Sequence, residues 1–361
     1  MTIHNAGDLV GNRYLITGWV GEGGMQEVYR AADQLLNRDV ALKTPKTASA
    51  TKRFKRSAHT AAKINQSNIA KTLDYVEESG KNYLVEELVE GCNLAVFLKS
   101  YVPRLDPYAC AQVIHHMARG LAASHHAGVI HRDMKPTNVI VVGGASFGGI
   151  KITDFGIAKM AEAEIERAAE GGDLTASETA LGALPYMSPE MIQSFSDAGM
   201  PTDVWSLGAM GHELLTGTRP FGSNYRAAAL IEAGVIPELK LELMANNQFS
   251  GLVEQIYQIT SACMTKDVRN RPTADDVVRM CENLCYSDSA REFGYIARWI
   301  YGTSGFISAD TGQDVFFHTN SVPSGRVVTN DRVWFSRHPG SPRPRAFPLV
   351  KAKSPEPPAG D

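Results

Sequence analysis

Five polar residues stand where the surrounding sequence makes a polar side chain hard to place. Lys43 closes the apolar run "DVALK", and Asp133, Lys135 and Asn138 crowd into "HRDMKPTN". Asp154 follows the strand-like start of "KITDFG". An ammonium at the end of an apolar strand is understandable if it meets phosphate. Asn138 and Asp154 are oxygen donors of the kind Mg2+ takes alongside phosphate oxygens. Upstream, "VGEGGMQEVYRAAD" holds Gly21, Gly23 and Gly24, and glycines let backbone N–H groups come close to phosphates. These glycines lie between strand-like runs with no helix directly after them. That argues against a dinucleotide fingerprint and a Walker loop, both of which open helices. The chemistry indicated is phosphate handling with a divalent cation. A sixth residue raises a question of its own. Glu86 sits in "YLVEELVEG", where Val85 and Val89 mark a buried strand. A carboxylate there costs several kcal/mol, on the order quoted for buried charge, unless a cation meets it.

The elements that must hold these residues fall into three parts. From about Tyr14 to Leu88, short apolar runs broken by Gly, Asn and Asp read as strands and tight turns. One stretch there, "TKRFKRSAHTAAKI", has helical spacing, with Phe54, Ala58, Ala61 and Ala62 on one face. Its basic residues Lys52, Arg53, Lys55 and Arg56 read as a solvated face. From about Asn93 to Cys285 the pattern is mainly helical, with Gly128 and Gly217 as helix stops. Beyond about Ser287, "GYIARWIY", "GFISA", "DVFFHT" and "VWFSR" are short aromatic strands, and "KSPEPPAGD" reads as disordered. The net charge of -3 excludes a wholly basic nucleic-acid binder. The absence of an 18-residue apolar run or a basic-then-apolar start leads to an expectation of no membrane span and no secretory signal. Five cysteines without a C-x-x-C pair fit reduced thiols in a cytoplasm, the expected location.

Taken together, the motifs resemble a bacterial eukaryotic-like Ser/Thr protein kinase over residues 12–286. The resemblance implies an α+β fold, with a small β-rich lobe over about 12–90 and a large helical lobe over about 91–286. It implies ATP with Mg2+, or Mn2+ in its place, and a protein substrate. Asp133 would accept the proton of the substrate hydroxyl, and Lys135 would steady the moving phosphoryl group. Asn138 and Asp154 would hold the metal, and Gly21, Gly23 and Lys43 the phosphates. Glu87, Leu88 and Val89 would form the hinge that meets adenine, with Val28 and Ala41 lining the base. Glu190 and Arg271 would form a buried ion pair, and Asp203 would brace the catalytic loop. Arg132 would meet a phosphate on Thr175, Ser177 or Thr179, each of which reads equally well as a plain loop hydroxyl.

The pattern departs from the family in three places. Gln26 replaces the third loop glycine. Ala183 replaces a threonine whose hydroxyl bonds the catalytic residues, a loss on the order of 1 kcal/mol. Ser57 stands where similar kinases carry the glutamate that pairs with the strand lysine, and no Asp or Glu occurs between Val40 and Leu73. The family pattern puts Glu86 at the gatekeeper position, facing the back of the nucleotide pocket. Two placements follow: Glu86 pairs with Lys43 in place of the missing glutamate, or it reaches solvent. These departures keep a second reading open, a pseudokinase-like nucleotide-binding regulator.

The aromatic strands after a linker at 287–291 resemble a cold-shock domain over 292–353, a small five-stranded OB-type barrel, followed by a disordered tail at 354–361. "RWI", "GFI" and "VFFH" carry the resemblance, though Gly302, Thr303 and Ser304 replace a cation and a stacking ring of that family. The resemblance implies a face of Trp299, Phe306, Phe316 and His318 for single-stranded RNA or DNA. Phosphate neutralisation would fall to Arg326, Arg332, Arg337, Arg343 and Arg345. The alternative is that the aromatics fill the barrel core and the module serves for docking.

Overall fold

The structure, a computed structural model, describes residues 2–22, 26–46, 51–155, 182–194, 198–222 and 226–354. Gly23, Gly24, Thr175, Ser177, Thr179 and the tail from 355 onward lie outside the described residues.

Alternation of apolar and polar residues makes the small lobe a sheet with two different faces. Its strands are β1 (Leu9–Val10), β2 (Tyr14–Glu22), β3 (Gln26–Asp33), β4 (Arg38–Pro45), β5 (Thr72–Glu78) and β6 (Lys81–Glu87), in the order β1-β2-β3-β4-β6-β5. Ser79 and Gly80 both take positive φ, 52° and 75°, which matches a hairpin turn to the strand twist between β5 and β6. One face buries Ile16, Tyr29, Val40, Leu42 and Val85. The alternate residues Ala41, Lys43, Leu84 and Glu86 therefore share the other face. Helix α1 (Thr51–Ala61) covers part of that face, with Phe54 and Ala58 packed on Leu84. Ala62, expected on the same helical face, lies past the helix end and is exposed. Lys55 meets Glu77 at 2.6 Å on the surface.

The large lobe contains β7 (Gly91–Asn93), α2 (Leu94–Ser100), α3 (Pro107–His126), β8 (Val139–Val142), β9 (Ile150–Ile152), α4 (Pro189–Gln193) and α5 (Met200–Thr216). It continues with α6 (Arg226–Ala233), α7 (Leu241–Met244), α8 (Asn247–Cys263) and α9 (Ala274–Glu282). Asp106 caps α3 by accepting from the N–H groups of Tyr108 and Ala109, and Pro107 opens its first turn. Gly217 ends α5 in the left-handed region at φ 77°. Gly208 inside α5 answers a packing need, because a Cβ there would lie 2.6 Å from Cys263 Cβ on α8.

Five more strands close into a barrel: β10 (Arg291–Tyr301), β11 (Ser304–Ala309), β12 (Asp314–His318), β13 (Arg332–His338) and β14 (Arg345–Lys351). Ile296, Ile307, Val315, Phe317, Val333 and Phe335 fill it. The first strand begins at Arg291, inside the expected linker, because that residue is already committed to packing. The barrel is docked on the large lobe rather than tethered to it. Trp334 belongs to the large-lobe core, 0% exposed, and its ring meets Phe97 and Phe147. Arg291 reaches Asp106 at 2.8 Å, with both side chains buried. Lys353 caps the end of α2, its Nζ 2.7 Å from the Lys99 carbonyl. Phe347 stacks on Phe249 of α8.

The buried Arg291–Asp106 pair joins the barrel to the cap of α3, so breaking it leaves an uncompensated charge. Arg291→Ala is expected to lower the unfolding free energy by about 3–5 kcal/mol in urea titrations, whereas a loss below about 1 kcal/mol contradicts a docked barrel.

Candidate active site

The strand ladder brings Lys43 and Glu86 together. Lys43 is paired in register with Val28 on one side and Leu84 on the other, and Ala41 with Glu86. The two charged residues are thus diagonal neighbours on the cleft face of adjacent strands, a separation long side chains can span. Lys43 Nζ lies 2.5 Å from Glu86 Oε2 and 2.6 Å from Asp154 Oδ1. Of the two placements open for Glu86, the structure has the paired one; the side chain is 5% exposed and does not reach solvent.

One ammonium therefore serves two carboxylates. Burial alone would push the Lys43 ammonium down, but Asp154 and Glu86 together hold it above the ordinary lysine value. Burial pushes the Glu86 carboxyl up, against the pull of Lys43. Burial acts in the same direction on Asp154, but Lys43 and a hydrogen bond from Gln26 bring it below the ordinary value. That hydrogen bond was not foreseen. Gln26 Nε2 donates to Asp154 Oδ1 at 3.0 Å, so the side chain that replaced a glycine reaches across the phosphate site. Its Oε1 is buried without a partner among the described residues. The only signal in sequence was a long amide where the loop pattern has glycine.

The catalytic-loop residues are held by backbone as much as by side chains. Asp203, fully buried, accepts from the N–H groups of His131 and Arg132 at 2.8 and 2.7 Å and meets His125 Nε2 at 2.9 Å. Arg132 is thereby held in the left-handed region at φ 62°, a sharp turn of the chain just before Asp133. His131 Nε2 donates to the Thr153 carbonyl at 2.8 Å, which joins this loop to the segment carrying Asp154. Asp133 Oδ2 lies 2.9 Å from Lys135 Nζ and 3.1 Å from Asn138 Nδ2. Asn138 Nδ2 also donates to the Asp133 carbonyl, so its Oδ1 is the end turned away from Asp133. Asp154, itself at φ 65°, spends Oδ1 on Lys43 and Gln26. Asn138 Oδ1, which the Thr137 hydroxyl approaches at 3.5 Å, and Asp154 Oδ2 are the oxygens that fit a magnesium ion, which takes one or two protein oxygens beside phosphates. Among the described residues no cluster of three or more His, Cys, Asp or Glu could form a separate metal cage.

At the hinge, Glu87 is tied by Lys151, whose Nζ lies 2.7 Å from both carboxylate oxygens. Val89 enters no backbone hydrogen bond among the described residues. Val28 and Ala41 lie on the cleft face beside Lys43, and Gly21 is opposite Val28. Farther out, Arg271 makes a two-pronged pair with Glu190 at 2.6 and 3.1 Å, and its guanidinium packs over Trp205. Arg132 Nε is buried with no partner among the described residues. Ala183 precedes a short turn, Leu184–Tyr186, that has no side-chain cap.

The four barrel residues expected on one face divide. Phe306 is opposite Phe316 across β11 and β12, with Arg298 over the Phe306 ring and His318 two residues farther along the same side. Trp299 instead is opposite Gly305, which is opposite Phe317, and it packs edge-on against that core ring. A shift in register after Ile296 puts it one residue out of phase with Phe306. The arginine patch also divides: Arg332 is bound to Asp310 and Arg337 to Glu292.

A small sheet lobe over a helical lobe, with a buried lysine, two metal-type oxygens and a carboxylate–lysine pair at their junction, defines a phosphoryl-transfer fold. The chain belongs to the protein kinase domain family, whose model matches residues 14–281. It is 35% identical over 232 residues to the probable serine/threonine-protein kinase pknA2 of Bifidobacterium longum, covering 62% of this chain and 29% of that protein. It is 34% identical over 218 residues to the serine/threonine-protein kinase PknL of Mycobacterium tuberculosis, covering 59% of this chain and 51% of that one. With PrkC of Bacillus subtilis it shares 34% over 220 residues, 60% of this chain and 32% of that protein. The chain thus spans about half or less of the length of these curated relatives. No helix among the described residues is long and apolar enough to cross a membrane.

The shared cation orders the cost of two substitutions. Lys43→Met leaves Glu86 and Asp154 facing each other without a cation and is expected to cost about 3–5 kcal/mol. Glu86→Met leaves Lys43 balanced by Asp154 and is expected to cost much less. Chemical denaturation of both variants checks this, and the reverse order contradicts the shared-cation geometry.

Proposed function

We propose that the chain is an ATP-dependent serine/threonine protein kinase in which Glu86 replaces the helix glutamate as partner of the phosphate-binding lysine. The observation that carries this is the contact of Lys43 with both Glu86 and Asp154 in a cleft that retains Asp133, Lys135 and Asn138. Val28 and Ala41 would line the adenine, and the backbone of Glu87 and Val89 would meet its polar edge. Gly21 and Gly23, with Lys43, would hold the phosphates. Asn138 Oδ1 and Asp154 would hold Mg2+, or Mn2+, which would supply positive charge against the charge that develops on the phosphates. Asp133 orients the substrate hydroxyl and takes its proton, and Lys135 stabilises the transferring group. Arg132, whose Nε has no partner among the described residues, receives a phosphate from Thr175, Ser177 or Thr179. A nucleotide-binding regulator without transfer is the weaker reading, because Lys43, Asp133, Lys135, Asn138 and Asp154 are all retained in the sequence.

For the barrel we infer a weaker, separable role. Phe306, Phe316 and His318, with Arg298, offer two phenyl rings, an imidazole and one guanidinium to a short single strand of RNA or DNA, and Trp299 plays no part. Phe316 and His318 also border a cleft of about 490 Å³ that Arg345 and Gln248 help to line.

Autophosphorylation with labelled ATP tests the first reading. The unaltered protein is expected to incorporate label, Asp133→Ala none, and Glu86→Met about 10- to 100-fold less in kcat/KM, a loss of about 1.4–2.7 kcal/mol in transition-state stabilisation. No incorporation by the unaltered protein under Mg2+ or Mn2+ overturns it. For the barrel, Phe306→Ala with Phe316→Ala is expected to abolish salt-dependent binding of a short oligonucleotide, while Trp299→Phe leaves it in place. Binding retained by the double variant overturns that face.

A further inference from the structure

The two metal-type ligands, Asn138 and Asp154, stand at the open end of one hairpin. Asn138 directly precedes β8, and Asp154 comes two residues after β9; the strands are paired from Val139 with Ile152 to Val141 with Ile150. The Thr153 N–H donates to the Asn138 carbonyl at 2.9 Å, which sets the spacing of the two ligands. The closed end of the hairpin is "GGASFGG", residues 143–149, four of them glycine. Glycines make such a turn conformationally permissive, and it is braced from within by a 3-10 turn over Gly144–Ser146 and by the Ser146 N–H and hydroxyl on the Gly143 carbonyl. Phe147 in it is nonetheless buried and held at φ 54°, in the left-handed region. The Gly143 N–H bonds the Glu90 carbonyl just beyond the hinge at 2.8 Å.

Trp334 of the barrel braces this turn from outside. Its indole Nε1 donates to the Ala145 carbonyl at 2.9 Å. Its ring meets Phe147 at 5.3 Å and Phe97 of α2 at 5.4 Å. The Arg291 guanidinium lies over the ring at 4.8 Å and is itself anchored on Asp106. The closed end of the ligand-bearing hairpin is therefore clamped by one barrel side chain that is held between aromatic rings and a cation. Metal ligands tolerate misplacement of only about 0.5 Å, and remote supports of ligands commonly set metal affinity.

We propose that Trp334 is a positioning residue for the metal–nucleotide site: through it the C-terminal barrel holds the β8–β9 hairpin so that Asn138 and Asp154 converge. This rests on the kinase reading for the identity of the ligand, but its test does not require transfer. In the full chain, Mg2+ is titrated against directly excited fluorescence of mant-ATP for the unaltered protein, Trp334→Ala and Trp334→Phe. Amide hydrogen exchange is followed without ligand. Trp334→Ala is expected to raise the half-saturating Mg2+ concentration about tenfold, with nucleotide binding in EDTA little changed. Exchange is expected to accelerate across residues 139–152 and not across β2–β6. Trp334→Phe, which keeps a ring and loses the N–H donor, shifts both in the same direction by less, and it decides the matter if the alanine variant does not fold. Unchanged Mg2+ dependence in the folded variants, or acceleration spread evenly over both lobes, overturns the proposal. If the unaltered protein binds Mg·mant-ATP but transfers no phosphate, the kinase reading fails and this one is still tested. If it does not bind, both fail.

Discussion

One buried ammonium between two carboxylates is the constraint around which the site is organised. A lysine on the inner face of a sheet is stable only if charge meets it, and here charge meets it from both lobes. Glu86 comes from the neighbouring strand of the same sheet, and Asp154 from the large lobe. The first partner is fixed by the β4–β6 ladder and the second by the β8–β9 hairpin, so the contact fastens the two lobes together. Helix α1 packs Phe54 and Ala58 on Leu84 beside this pair, and neither partner of Lys43 comes from it. An ion pair built within a sheet does not depend on where that helix sits. A swing of α1 would therefore leave the Lys43–Glu86 pair intact, in contrast to a partner carried on the helix itself.

Three other buried charged groups are likewise met by opposite charge or by backbone N–H groups, and each joins distant parts of the chain. Asp203 gathers the backbone of His131 and Arg132. Arg271 closes on Glu190 and packs over Trp205. Arg291 carries the rule into the barrel by pairing with the residue that caps α3. The barrel is thereby a part of the large lobe's packing, sharing its core through Trp334, rather than an appendage on a linker.

Much of this was legible in sequence because it depends on local pattern. Its place at the end of an apolar strand singled out Lys43, the absence of acid between Val40 and Leu73 made Glu86 its candidate partner, and turn chemistry marked the helix stops at Gly128 and Gly217. What could not be read was set by contacts between distant segments. Gln26 looked like a mild loss of loop freedom, and its bond to Asp154 depends on how two lobes close. The Lys151–Glu87 pair likewise depends on contact between segments far apart in sequence. Trp299 appeared to belong with Phe306 because both are aromatic in strands, but a one-residue change of phase at a register shift turns it inward. Trp334 read as a barrel strand residue, and nothing local reveals that its ring completes the core of another lobe.

The account stands or falls on whether Lys43 keeps its strand partner when the phosphate site is filled. The direct measurement is a crystal structure with Mg2+ and a non-hydrolysable ATP analogue. The prediction is that Lys43 Nζ touches an α- or β-phosphate oxygen while remaining within about 3 Å of the Glu86 carboxylate, the range of a charge-assisted hydrogen bond. A Glu86 carboxylate beyond about 4 Å from that nitrogen, outside ion-pair contact, would contradict it.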